Sequence, residues 1–244
     1  MRILVINPNT TASMTEKIAA AARSAVSSGV EIVAVNPADG PPSIEGYYDE
    51  VFSIPGIIAE MHKAGDVDAT VLACFDDTGL DAARCISSGP VIGIGEAAFH
   101  FASLVAHRFG VVTTLSRSIA AIEHNLTKYG LAARCGRVRA CEVPVLDLEA
   151  SASATRDLIA QEARKAITED GVEAIVLGCA GMTNLAQDLS DLLNVPVLDG
   201  VKCAAALAES AVRVGLRTSK VNTYQAPVRK DYRGSQAQFS PQRR

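Results

Sequence analysis

Short runs of β-branched and other apolar residues alternate with stretches whose apolar positions recur every three or four residues, from the N-terminus to about residue 214. "ILVIN" (3–7), "EIVAVN" (31–36), "ATVLAC" (69–74) and "PVIGIG" (90–95) read as strands, with helices near 12–27, 52–64, 79–87 and 96–107. The order then restarts with strands "FGVVTT" (109–114), "RVRACEVP" (137–144), "AIVLGC" (174–179) and "PVLDG" (196–200). Helices near 116–129, 153–169, 183–193 and 201–214 follow them in turn. Near-continuous apolar strands joined by helices predict parallel sheets covered on both faces.

The two series have matching spacing. Leu4 to Cys74 spans 70 residues and Val111 to Cys179 spans 68, while Cys74 to Val91 is 17 and Cys179 to Val197 is 18. An internal duplication accounts for the match. It predicts an α/β fold of two pseudo-symmetric lobes, each a mainly parallel four-stranded sheet covered by helices, with the active site in the inter-lobe cleft. The first lobe is expected over 1–107 plus about 201–220, because its sheet lacks one cover helix that the last helix would supply. The second lobe is expected over 108–200. Residues from about 221 to 244 are polar and aperiodic and read as a C-terminal tail.

Composition narrows the class. With 48% apolar and 20% charged residues in 244, the chain can bury a sizeable core and is not disordered. The net charge is −4 and the Lys and Arg residues are dispersed except at the C-terminus, which argues against nucleic acid as a partner. No apolar run reaches the roughly 18–20 residues that span a bilayer, and "MRILVINPNT" enters a strand rather than a signal peptide. A cytoplasmic protein without membrane partners is expected, and its six cysteines read as reduced thiols.

Neither a metal nor a nucleotide is expected. No Cys-x-x-Cys occurs and the four histidines lack zinc spacing; His100 and His107, seven apart on one predicted helix, read as a helix face or core edge. Gly93-x-Gly95-x-x-Ala98 imitates a dinucleotide fingerprint, but it follows the fourth strand of a lobe and no acidic residue stands roughly 20 positions later. Those glycines read as close packing or a substrate loop.

The candidate chemistry lies in a repeated segment. "ATVLACFDDTGL" (69–80) and "AIVLGCAGMTNL" (174–185) place Cys74 and Cys179 at the carboxyl ends of equivalent strands, where parallel sheets bind ligands. A following helix N-terminus would lower each thiol pKa below about 8.5, although Asp76 and Asp77 oppose this at Cys74. Two thiols facing each other across a cleft suit inversion at carbon: one takes a proton from one face and the other returns one to the opposite face. Cys85, Cys135, Cys141 and Cys203 have no such placement and read as structural.

Proton removal beside a carbonyl builds charge on oxygen, which needs donors already in place. Backbone N–H groups at Phe75, Asp76, Ala180 and Gly181 are candidates, as are Asn7 and Asn9 in one lobe and Thr113 and Thr114 in the other. Turn formation and helix capping explain the Asn and Thr residues equally well. The Pro- and Gly-rich "NPADGPPSIEGYYDE" (36–50) reads as a loop over the cleft or a plain connector.

"INPNT" at the first strand, "ACFDDTGLDA" at the first cysteine, "VVTTL" opening the second half and "VLGCAGM" at the second cysteine resemble the Asp/Glu racemase superfamily, most closely its hydantoin racemases. The resemblance runs to about residue 225 and implies a cofactor-independent racemase in which Cys74 and Cys179 take the two acid–base roles. The expected substrate is a 5-monosubstituted hydantoin racemised at C5, a neutral ring that suits a lining short of fixed positive charge. Allantoin racemases share the two-cysteine logic. A homo-oligomer is expected. The rival readings are a decarboxylase or isomerase on the same scaffold and a two-lobed small-molecule binding protein with structural cysteines.

Overall fold

The structure is a computed structural model that describes residues 1–148 and 152–241. Residues 242–244 of the expected tail lie outside the described residues. Strands β1 (Arg2–Ile6), β2 (Glu31–Val35), β3 (Ala69–Leu72) and β4 (Val91–Gly93) form one parallel sheet in the order β2-β1-β3-β4. Strands β5 (Phe109–Thr113), β6 (Cys135–Ala140), β7 (Ala174–Gly178) and β8 (Val197–Asp199) form the second in the order β6-β5-β7-β8. The two lobes are therefore the same parallel arrangement built twice. The helices are α1 (Ala12–Ser24), α2 (Tyr47–Ala64), α3 (Leu80–Ile86), α4 (Ile94–Val105), α5 (Ile119–Lys128), α6 (Ala152–Asp170), α7 (Ala186–Leu193) and α8 (Gly200–Arg213).

Strands β3, β5 and β7 are buried along their whole length, which is why they show no polar–apolar alternation. Helix α4 leaves β4 and packs over β7 and β8, while α8 leaves β8 and packs over β3 and β4. The two helices also lie against each other, so one apolar cluster runs from Ile3 and Val5 through Phe99 to Phe109 and Val111. Phe99 meets Phe75 edge-on at 5.4 Å and stacks on Phe109 at 5.9 Å. This shared core holds the lobes in a set relation and so sets the width of the cleft between them.

Four details depart from the periodicity. Helix α2 begins at Tyr47, so only 36–46 are loop. Strand β6 ends at Ala140, and the chain from Cys141 turns away with Glu142 at φ +54°. Helix α4 ends at Val105, which leaves His107 beyond it; both His107 and His100 are exposed. The start of the C-terminal segment is tied down, with Thr218 donating to the Gly89 carbonyl at 2.6 Å and Tyr224 donating to Asp81 at 3.0 Å.

Candidate active site

In each sheet the chain order reverses between the two central strands, and the turns leaving those strands open into one space. The result is a cleft of about 410 Å³ between the lobes. The first lobe contributes Pro8, Asn9 and Met14 from beyond β1, Ile44 from the 36–46 loop, and residues 73–76 from beyond β3. The second contributes Thr114 and Ser118 from beyond β5, Val145, and residues 178–180 at and just after the end of β7. Cys74 and Cys179 thus line the same cleft from equivalent strand ends, and both are free thiols.

The turns around the sulfurs are built alike. The backbone N–H of Gly181 donates to Cys179 Sγ at 3.4 Å, and the N–H of Asp76, also two residues on, favours the charged form of Cys74. Thr78 Oγ1 lies 3.4 Å from Cys74 Sγ and adds to this. The lowered thiol pKa expected from a following helix is nevertheless not found. Helix α3 starts only at Leu80 and α7 only at Ala186, with a 3-10 turn over Ala180–Leu185 directly after Cys179. Burial outweighs the local donors: it pushes Cys74 far above the ordinary thiol value, helped by Asp76 and Glu50, and Cys179 up to about 12.

Two neighbouring carboxyls are also displaced. Burial, then Glu50, push Asp76 up to about 7 against the opposing Ser118 hydroxyl at 3.3 Å. Burial raises Asp77 to about 7 as well, although Tyr129 Oη donates to it at 2.7 Å and the Glu96 and Gly95 amides donate at 2.8 and 3.0 Å. Asp77 sits at φ +52°, the left-handed region, so the turn carries a local strain of the kind that tertiary contacts must hold. Gly93 and Gly95 leave room for its carboxylate, since a Cβ on either would run into Asp77 or the Phe75 carbonyl. Close packing is thus the reason for these glycines.

Seven of the ten candidate residues meet at the cleft: Asn9, Cys74, Phe75, Asp76, Thr114, Cys179 and Ala180. Three do not line it. Asn7 is fully buried and donates to Asn9 Oδ1, the Thr11 carbonyl and Thr15 Oγ1, which makes it the frame of the β1 turn. Thr113 donates to the Gly178 carbonyl at 3.0 Å and ties β5 to the Cys179 turn. The Gly181 amide is engaged by the Cys179 sulfur.

The cleft also holds residues without a motif of their own, namely Met14, Ser118 and Val145. Ile44 belongs to the flagged loop, and this loop does cross the cleft. Glu45 accepts from the Val145 amide at 2.8 Å, and Tyr47 Oη lies 3.2 Å from His124 Nδ1, both on the second lobe. Cys141, read as structural, lies behind Cys179 and donates to the Thr114 carbonyl at 3.8 Å. No Lys or Arg is among the described residues of the lining, and no group of His, Cys, Asp or Glu among the described residues is arranged to hold a metal ion.

Residues 3–208 match the family model described as Asp/Glu/Hydantoin racemase. A hydantoin racemase from Pseudomonas sp. is 46% identical over 98% of this chain and 97% of its own length. One from Rhizobium meliloti is 48% identical over 93% and 95%. Among solved structures, an allantoin racemase from Klebsiella pneumoniae superposes with a TM-score of 0.95 at 44% identity, covering 99% of both chains.

Proposed function

The chain belongs to the Asp/Glu/hydantoin racemase family and is a racemase, and from that premise we propose that it inverts C5 of 5-monosubstituted hydantoins by proton transfer between Cys74 and Cys179. The observation that carries this reading is the pair of free thiols on equivalent strand ends lining one cleft. One sulfur, as thiolate, removes the C5 proton, and the other, as thiol, protonates the carbanion from the opposite face. The turnover leaves the two protonation states exchanged. A thiolate formed in a buried site is a stronger base than one in water, which suits a weakly acidic C–H.

Removal of the proton shifts charge onto the oxygen of the adjacent C4 carbonyl. Asn9 is oriented for this, because its Oδ1 accepts from the Thr11 and Asn7 nitrogens while its Nδ2 stands at the cleft wall beside the weak acceptor Met14 Sδ, 3.3 Å away. Thr114 and Ser118 add neutral hydroxyls, and the lack of Lys and Arg in the lining favours an uncharged ring over a free amino acid. The reaction draws on no cofactor, because the two thiols supply both proton transfers. Allantoin is the second reading, favoured by the 44% identical allantoin racemase structure.

Decay of optical rotation with several enantiopure 5-substituted hydantoins, beside allantoin, tests the proposal. Faster loss of rotation with a hydantoin supports the first substrate, and faster loss with allantoin supports the second. Turnover of neither, with no loss of the C5 proton in deuterated buffer, contradicts both and favours a binding role.

A further inference from the structure

The pseudo-two-fold that pairs the thiols is broken in charge. Strands β2 and β6, which lead into α2 and α6, end 105 residues apart at Val35 and Ala140, the same offset that separates Cys74 from Cys179. Under that offset Asp76 corresponds to Gly181 and Glu50 to Thr155. Both carboxyls therefore belong to the Cys74 side, and the matching positions on the Cys179 side are neutral.

Glu50 stands over the cysteine turn. It lies on the α2 face that carries Ile54 and Ile57, four and seven residues on, and those two side chains are the neighbours that a Cβ at Gly79 would meet. Gly79 closes the turn that begins at Cys74, and Glu50 is one helical turn nearer the cleft than Ile54. Its Oε1 is buried and has no hydrogen-bond partner among the described residues. A buried carboxyl oxygen without a donor is costly, and it spreads its field into the turn beneath it.

We propose that Glu50 is a positioning residue for the reaction: beside Asp76, its carboxylate keeps Cys74 a thiol and leaves Cys179 the first of the pair to become a thiolate. The inference rests on Cys74 and Cys179 being the acid–base pair. The groups that face each sulfur agree with this order. Cys74 meets Asp76 and Glu50, opposed by the Thr78 hydroxyl and the Asp76 amide. Cys179 meets the Gly181 amide, with Asp76, Cys141 and Glu45 as weaker opposing influences. Glu50 acts on Asp76 too, and burial raises both carboxyls, so their charges bear on Cys74 at the alkaline end of the range.

The test is alkylation of the full chain by iodoacetamide from neutral to alkaline pH, with labelling of each cysteine followed by peptide mapping. In the parent chain Cys179 is labelled faster than Cys74 at each pH. Glu50→Gln keeps the volume and removes the charge; it raises the Cys74 labelling rate about threefold or more at fixed pH and leaves the Cys179 rate nearly unchanged. Glu50→Asp keeps the charge and loses a methylene, and it retains the parental order. An unchanged Cys74 labelling rate in Glu50→Gln overturns the proposal, as does Glu50→Asp behaving like Glu50→Gln, which would make the role one of packing. Racemisation is assayed separately, so an inactive parent chain counts against the proposed function while the alkylation order still decides the place of Glu50.

Discussion

Asp77 caps α4 where it leaves the first sheet as Asp199 caps α8 where it leaves the second, with the carboxylate moved from one strand end to its neighbour. Asp199 ends β8 and accepts from the Val201 amide at 2.9 Å. At the matching end of β4 stands Gly93, and Asp77, reaching from the Cys74 turn, accepts from the Gly95 amide at 3.0 Å in its place. The second lobe has Met182 where the first has Asp77. In the first lobe the cap thereby also anchors the turn that carries Cys74.

Gly93→Ala is expected to destabilise the protein by about 2 kcal/mol, because its Cβ would strike a carboxylate held by three donors. Chemical denaturation measures this directly. The double variant Gly93→Asp with Asp77→Met copies the second lobe and should recover part of the loss. An unchanged midpoint in Gly93→Ala would show that the turn yields freely.

Cys74→Ala and Cys179→Ala should each abolish racemisation in both directions, because every turnover uses one sulfur as base and the other as acid. Each variant keeps one base on one face. Proton NMR in deuterated buffer should show C5 exchange without inversion, of one enantiomer in one variant and of its mirror image in the other. Racemisation by either variant at near the parental rate would end the two-thiol mechanism.

Stability should depend on pH through Asp76. Its folded-state pKa of about 7 lies above the ordinary 3.8, so the folded chain holds the proton more tightly than the unfolded chain. That contribution is complete below 3.8 and is lost as the pH rises through about 7. Asp76→Asn cannot ionise and escapes the loss, so its melting temperature should gain on the parent between about pH 4 and pH 7. A difference that stays flat across this window would place the Asp76 pKa elsewhere.

The strap over the cleft should matter to binding. Glu45→Ala removes the acceptor for the Val145 amide and is expected to lower kcat/KM by about tenfold, roughly 1.5 kcal/mol, mainly through KM. Steady-state kinetics on the best substrate check it. An equal fall in kcat with constant KM would assign the strap to the chemical step instead.

Exhaustive dialysis against a chelator should leave racemisation intact, since the two thiols supply both proton transfers. Activity lost and then restored by a divalent ion would refute this.

The sequence by itself determined the repeated strand–helix order, the parallel sheets and the two matched cysteines. These follow from local rules: a strand buried on both faces must be apolar throughout, and a duplicated turn keeps its spacing. It was less sure at the ends of elements, where α2 begins five residues earlier than its apolar pattern and β6 stops once the chain turns at Cys141 and Glu142. Only the tertiary structure decided which polar residues face the cleft. Asn7, Asn9, Thr113 and Thr114 are alike in type and placement, yet Asn7 and Thr113 spend their donors inside the fold while Asn9 and Thr114 line the cleft. The thiol acidities were decided there too. A helix N-terminus can be read from a motif, but desolvation depends on everything packed around the sulfur, and at both cysteines it outweighs the turn amides, with Asp76 and Glu50 adding to it at Cys74.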